Sequence, residues 1–162
     1  MAMSEPPSIA IIGAGISGLS CAVSLQSDGY TVSLFDKSRG PGGRMSTRIT
    51  DASQCDHGAQ YFTAPSTDFR AEVLRWQKAG VADVWTPKLQ VVGNKTTDHL
   101  QTAVERFVGT PNMTAPAHFL AKNTSLITKT TVQTIEQKQN RWHLHSAEYG
   151  WLHDHFAAVI LA

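Results

Sequence analysis

A chain of 162 residues, 41% of them hydrophobic, is long enough to bury the core of one ordinary domain, which excludes an intrinsically disordered chain. Its 14 basic and 13 acidic residues leave a formal net charge of +1, so the charge balance does not predict nucleic acid or an anionic membrane as a partner. The charge balance favours a small molecule as the partner instead. The two cysteines, Cys21 and Cys55, are too few for a disulfide framework, which favours a cytoplasmic setting.

The first quarter of the chain has a strand–helix–strand pattern. The apolar run Ile9–Ile12 ends at a glycine, which predicts a strand buried on both faces of a parallel sheet. Apolar residues at helical spacing predict a helix over Ile16–Asp28, and the alternating residues Thr31–Asp36 predict a second strand. Together the three elements predict a βαβ unit.

The turn between the first strand and the helix has the pattern G-x-G-x-x-G. Its residues are Gly13, Ala14, Gly15, Ile16, Ser17 and Gly18. The first glycine permits a tight turn, the second lets a pyrophosphate approach the backbone, and the third lets the helix pack closely on the strand. Free amides and the positive end of the helix dipole then face the phosphates. The pattern predicts an adenine-dinucleotide site; the alternative is a glycine turn that serves packing alone.

An acidic residue ends the second predicted strand. Asp36 lies 18 residues after Gly18, where dinucleotide-binding folds use an acid to hydrogen-bond a ribose hydroxyl of the adenosine half. A carboxylate at this position would repel the extra phosphate of NADP. Lys37, the next residue, is included among the predicted cofactor contacts.

The loop Lys37–Arg48 is dense in glycine and arginine. Gly42 and Gly43 allow the chain to pass close to a bulky cofactor, and Arg44 can bind phosphate oxygens through two hydrogen bonds. The alternative is a flexible basic surface loop. A Gly-Gly-Arg motif after an acid-terminated strand resembles the flavin-containing amine oxidase and renalase-like group of FAD enzymes. The resemblance implies that the cofactor is FAD.

A second stretch, Asp56–Thr63, resembles the Asp-x-Gly-Ala-Gln-Tyr segment of renalase-like proteins. The resemblance implies that Gln60 and Tyr61 lie near the flavin ring. It also places Val132 in a strand whose valine backbone touches the adenine. The other positions that match cofactor contacts of the family are Ser17 and Arg44.

No residue is assigned as catalytic. His57 is the titratable side chain nearest the inferred ring region, although a histidine that caps its own loop is the alternative. The spacing of His143 and His145, and of His153 and His155, could hold zinc. Alternate polar residues in a hairpin more often form the solvated face, so no metal site is predicted.

Further elements follow along the chain. Residues Thr67–Ala79 predict an amphipathic helix, and Val81–Trp85 and Leu89–Val92 predict short strands. A short helix is predicted near Thr114, with Pro116 in its first turn. The strands predicted after it are 126–127, 131–135, 142–145 and 156–161, with the polar segment 136–141 as a hairpin connection.

The sequence therefore predicts an α/β fold: a three-layer, Rossmann-like FAD/NAD(P)-binding domain over residues 7–63 and 108–162. Residues 64–107 are predicted to be part of a second, substrate domain. Members of the resembling family continue well beyond the position of Ala162, so the chain is expected to be truncated within this domain.

The function that the resemblance implies is an FAD-dependent oxidoreductase. It would transfer a hydride from a small amine or a reduced nicotinamide-type substrate to the flavin, with NAD(P)H as a candidate electron donor. One alternative is an NAD-dependent Rossmann oxidoreductase, which would leave Gly42, Gly43 and Arg44 without a role. The other is a non-catalytic nucleotide-binding remnant.

Overall fold

The computed structural model describes residues 6–88 and 104–162. Contacts divide the chain into two compact units, Met1–Ser46 with Ala117–Ala162, and Thr47–Pro116. The sequence-based division into cofactor and substrate domains used different boundaries, and the roles of its two parts stay predictions. The predicted strand Leu89–Val92 lies outside the described residues.

The first unit contains a parallel sheet of four strands. Its elements in chain order are β1 (Ser8–Ile12), α1 (Ile16–Ser27), β2 (Thr31–Phe35), a 3-10 turn (Gly43–Met45), β7 (Ser125–Ile127) and β11 (Ala158–Leu161). The strand order is β11-β1-β2-β7, and every pair is parallel. The predicted βαβ unit is thus confirmed, and β1 lies inside the sheet, where its apolar run is buried.

An antiparallel sheet packs on one face of the parallel sheet. Its strands are β8 (Val132–Lys138), β9 (Arg141–Ser146) and β10 (Gly150–Phe156), in the order β10-β9-β8. Ala10 and Phe35 form a buried cluster with Leu144 and Phe156, and the two phenylalanine rings meet edge-on at 5.8 Å. The buried residues of α1, which pack against β1 and β2, lie outside this cluster. Helix, parallel sheet and antiparallel sheet therefore form three layers, as predicted.

The second unit contains two short antiparallel pairs and a helix. Its elements are β3 (Thr47–Ile49), β4 (Gln54–Asp56), α2 (Thr67–Lys78), β5 (Ala82–Trp85) and β6 (Arg106–Gly109), and α3 (Ala115–Ala121) begins in it. Three aromatic rings pack around Phe62: it stacks on Phe107 at 5.7 Å and contacts Phe69 and Trp76. The predicted helix at Thr67 is confirmed, and Ser66 caps it by accepting from the Phe69 amide.

Three sequence predictions were wrong in detail. The apolar segment 156–161 is two strands, because the chain leaves the antiparallel sheet after Phe156 and joins the parallel sheet at Ala158. Between them, the Ala157 amide donates to the Ser8 carbonyl. The segment Lys37–Arg48, predicted as a loop, includes the 3-10 turn and the first residues of the β3–β4 hairpin, whose short, mostly exposed strands carry no hydrophobic alternation.

The connection between β8 and β9 is shorter than predicted. Its two residues, Gln139 and Asn140, have φ values of 50° and 60°. This left-handed pair is the geometry of a type I′ hairpin turn, which asparagine and glycine favour. The polar residues on either side of the turn belong to the strands, so a prediction from composition alone made the loop too long.

Replacing Gln139 with asparagine is expected to stabilise the chain by about 0.5 kcal/mol, because asparagine tolerates positive φ better than glutamine. Urea unfolding followed by circular dichroism measures the change. Gln137→Asn, the same substitution inside regular β8, serves as the control and gives no stabilisation. A Gln139→Asn chain no more stable than this control would contradict the turn geometry.

Helices α1 and α2 are the longest within residues 6–88 and 104–162, with 12 residues each. A helix needs about 20 apolar residues to cross a bilayer. None of the described helices meets the length and apolarity that crossing requires.

Candidate dinucleotide-binding site

The glycine-rich turn follows β1 directly and is held by backbone contacts. Gly13 has φ of 111°, and its amide donates to the Phe35 carbonyl at 2.8 Å. A Cβ at Gly13 would lie 2.5 Å from the Ala162 carbonyl oxygen, and a Cβ at Gly18 would lie 2.0 Å from the Gly13 oxygen. The first and third glycines are therefore required because side chains there would collide with backbone.

The second glycine of the turn faces open space. Gly15 is the N-cap of α1, and a Cβ added to it would meet no atom within 4 Å. No capping side chain and no acidic residue of the first turn occupy this helix end. The amides of Ser17 and Gly18 donate to no acceptor in the described part of the chain. Together these features leave a helix N-terminus that can receive an anion.

Asp36 connects the end of β2 to the turn. One oxygen, Oδ2, accepts from the Ala14 amide at 2.6 Å, and the other, Oδ1, accepts from the Ser38 amide at 2.7 Å. A carboxylate has about four acceptor positions, so both oxygens can still accept from a ribose hydroxyl. The sequence predicted the ribose position of Asp36 but not its hydrogen bonds to the turn.

Substituting Asp36 with asparagine is expected to lower the free energy of unfolding by about 1–3 kcal/mol, because an amide has one acceptor oxygen for two backbone donors. Urea unfolding tests this expectation. Asp28→Asn, at the exposed C-cap of α1, is the matched control. Equal stability of the two variants would show that the Asp36 carboxylate does not stabilise the fold through its bonds to the Ala14 and Ser38 amides.

A cavity of about 210 Å³ lies at the carboxyl ends of β1 and β2. Its lining residues are Ile12, Gly13, Phe35, Asp36, Lys37, Thr130, Thr131, Val132 and Ala162. This volume is below the ~300–1,000 Å³ of pockets that enclose a whole drug-sized ligand, so it suits one part of a dinucleotide. Four predicted contacts thus share one cavity: Gly13, Asp36, Lys37 and Val132. Sequence reasoning missed Thr130 and Thr131, whose only signal was their position before Val132.

The Gly-Gly-Arg segment packs against the turn. Gly42 and Gly43 have φ of 128° and 54°, and the Gly42 amide donates to the Ala14 carbonyl at 2.9 Å. A Cβ at Gly43 would lie 3.2 Å from the Gly15 Cα. Arg44 follows in the 3-10 turn, exposed, and its guanidinium pairs with no acidic group of the described residues. The segment is therefore packed against the turn, and Arg44 remains available for a phosphate.

The remaining predicted contacts, Gln60 and Tyr61, belong to the second unit and are exposed. The Tyr61 ring lies 5.8 Å from that of Trp85, and the Arg106 guanidinium lies 5.3 Å from its centre. His57 is exposed in the same unit. The roles of these residues beside a flavin ring stay predictions.

The histidines of the antiparallel sheet form cross-strand contacts. His143 and His155 face each other with ring centres 5.2 Å apart, whereas His145 contacts Trp151. Over residues 6–88 and 104–162, no group of three or more histidine, cysteine, aspartate or glutamate side chains could hold a metal ion.

Comparison with known proteins gives a match to a family described as an NAD(P)-binding Rossmann-like domain, over residues 11–75. A relative, the NAD-dependent dihydropyrimidine dehydrogenase subunit PreT of Escherichia coli (strain K12), is 36% identical over 73 residues. That match covers 45% of this chain and 15% of the relative. The family match contains the glycine-rich turn, so it agrees with the dinucleotide-binding site described above.

Two solved structures share the fold. A fatty acid isomerase from P. acnes that produces CLA superposes with a TM-score of 0.72 at 14% identity, covering 99% of this chain and 59% of that one. A redesigned putrescine oxidase gives 0.68 at 14% identity, covering 97% and 58%. The chain thus spans less than two thirds of either protein. The Rossmann-like fold is confirmed, and the FAD prediction agrees with these comparisons.

Proposed function

We propose that this chain carries the adenine-dinucleotide-binding part of an FAD-dependent oxidoreductase. The observation that supports this most directly is the open surface at Gly15, where a helix N-terminus with two available amides adjoins the cavity containing Asp36. The redox activities named for two of the similar proteins, a dehydrogenase subunit and an oxidase, also support it.

The residues present fit the adenosine diphosphate half of FAD. The cavity at Asp36 and Val132 would hold the adenosine, with the Asp36 oxygens accepting from the ribose. The amides of Ser17 and Gly18 would bind the pyrophosphate, and Arg44 would supply a full positive charge to it. Gly15 keeps the approach clear of a side chain.

Bound FAD would supply the group that accepts a hydride equivalent from the substrate. The residues of this chain orient the cofactor and exclude water from its buried half. Gln60 and Tyr61 are proposed to lie beside the flavin ring, on the strength of their resemblance to the Asp-x-Gly-Ala-Gln-Tyr segment of renalase-like proteins. The proposed substrate class is a small amine or a reduced nicotinamide, with NAD(P)H as one source of electrons.

A second candidate is an NAD-dependent oxidoreductase. It is favoured by the NAD(P)-binding description of the matched family and by the NAD-dependent relative. Under this candidate the packing of Gly42 and Gly43 against the turn, and the exposed Arg44, would have no ligand to explain them. We therefore favour FAD.

Visible absorption and calorimetric titration of the purified chain with FAD, NAD and NADP distinguish these candidates. A yellow protein, or one that binds FAD more tightly than NAD, supports the proposal. Preference for NAD would replace it with the second candidate. Failure to bind any of the three dinucleotides, with no ligand-dependent shift in melting temperature, would overturn the proposal.

A further inference from the structure

The wall of the cavity opposite Asp36 is formed by Thr130, Thr131 and Val132. The first of these is fixed from the β2 side, because the Thr130 amide donates to the Asp36 carbonyl at 2.9 Å. Its side chain is buried, and its hydroxyl donates to the Thr128 carbonyl at 3.1 Å. Hydrogen bonds to Asp36 and Thr128 therefore hold Thr130 at the end of the parallel sheet that carries Asp36.

The next residue, Thr131, is held by the turn between β9 and β10. Its carbonyl accepts from the Ala147 amide at 2.9 Å, and its amide donates to Oε2 of Glu148 at 2.7 Å. The pairing of β8 with β9 shifts register between Val132 and Thr134, so the regular ladder is interrupted at this point. Glu148 supplies the acceptor for the Thr131 amide.

The contact involves the charged form of the glutamate. Hydrogen bonding by the side chain and then the amide of Thr131 lowers the pKa of Glu148 from its ordinary value. Glu148 is exposed and is not among the described residues that line the cavity. The hydrogen bond from the Thr131 amide therefore connects Glu148 to the wall of the cavity.

We propose that Glu148 is a positioning residue for the adenosine side of the dinucleotide site: by holding the Thr131 amide, it fixes the wall that faces Asp36. The inference rests on the proposed binding of an adenine dinucleotide. Glu148 would then be a determinant of nucleotide affinity, although it lies 112 positions from Asp36 in the chain and on a turn of a different sheet.

Titration of the full chain with ADP, which contains only the half of the cofactor that this site would hold, tests the inference. Glu148→Ala is expected to weaken ADP binding about fivefold, because the Thr131 segment loses a charge-assisted hydrogen bond that orders it before binding. Glu148→Gln keeps an oxygen acceptor and should restore affinity to within about twofold of the parent. Exchange of the Thr131 amide hydrogen, followed by NMR, should accelerate in Glu148→Ala and stay near the parent rate in Glu148→Gln.

Glu136→Ala is the matched control, since Glu136 is a half-buried glutamate of the same sheet paired with Lys138 at 2.5 Å. Its ADP affinity should equal that of the parent. If the parent chain does not bind ADP, both the proposed function and this inference are wrong. If the parent binds ADP and Glu148→Ala binds it equally well, or Glu148→Gln is as weak as Glu148→Ala, only the inference is overturned.

Discussion

Replacing Gly18 with alanine is expected to lower the free energy of unfolding by about 3 kcal/mol. The new Cβ would lie 2.0 Å from the Gly13 carbonyl oxygen and 3.2 Å from the Ala162 Cβ. The first contact is with backbone, so it cannot be relieved by rotating a side chain. Helix α1 would have to move away from the turn, loosening the packing of its buried residues Leu19 and Ala22. Urea unfolding followed by circular dichroism measures the loss.

Gly40→Ala provides the control for this substitution. A Cβ at Gly40 would meet nothing within 4 Å, and Gly40 is outside the positive-φ glycines, so its stability should stay within about 0.5 kcal/mol of the parent. If Gly18→Ala were as stable as Gly40→Ala, the close packing of α1 on the turn would be refuted.

The glycine-rich turn could be predicted from the sequence because its geometry is local. Gly13 and Gly18 are five residues apart, a Cβ at Gly18 would collide with the Gly13 carbonyl oxygen, and the φ of 111° at Gly13 itself favours glycine. The burial of β1 was predictable for a similar reason, since only a strand covered on both faces uses an unbroken apolar run. In both cases a few consecutive residues carry the physical constraint.

The rest of the site depends on contacts between distant residues. Asp36 was predicted as a ribose ligand, but its bonds to the Ala14 and Ser38 amides appear only once β1 and β2 are paired. The same holds for Thr130 and Thr131, which reach the cavity because β7 pairs with β2. Thr131 was predicted only as the first residue of a strand and Thr130 belongs to no periodic pattern, so no local signal marked either as part of the site.

The break at Ala157 shows the same limit at the level of strands. Residues 156–161 are uniformly apolar, which predicts one strand. Phe156 is buried between the two sheets, whereas Val159 pairs with Ala10 in the parallel sheet. One apolar run thus serves two sheets, and the change between them follows from the Ser8 carbonyl that receives the Ala157 amide. Hydrophobicity records burial but not the identity of the pairing strand.

Replacing Gly15 with alanine is expected to weaken FAD and ADP binding about 10–100-fold while leaving the fold in place. The methyl group would enter the space through which a pyrophosphate approaches the Ser17 and Gly18 amides, and overpacking of this kind costs about 1–3 kcal/mol. Gly15 has φ of −71°, which alanine adopts without strain, and its Cβ would meet no protein atom within 4 Å. The N-cap position makes alanine less favourable by no more than about 1 kcal/mol.

Isothermal titration of Gly15→Ala with ADP, together with its urea unfolding curve, separates these two effects. Gly40→Ala has the same chemical change and equal room for it, and its ADP affinity should match that of the parent. Gly15→Ala that binds ADP as tightly as the parent would show that the phosphates do not pass over Gly15, and the proposed site would be wrong. Loss of affinity together with several kcal/mol of stability would indicate instead that the turn has collapsed, which is the result expected for Gly18→Ala. The two substitutions lie three residues apart, yet Gly15→Ala should lower the affinity for ADP and Gly18→Ala should lower the stability of the fold.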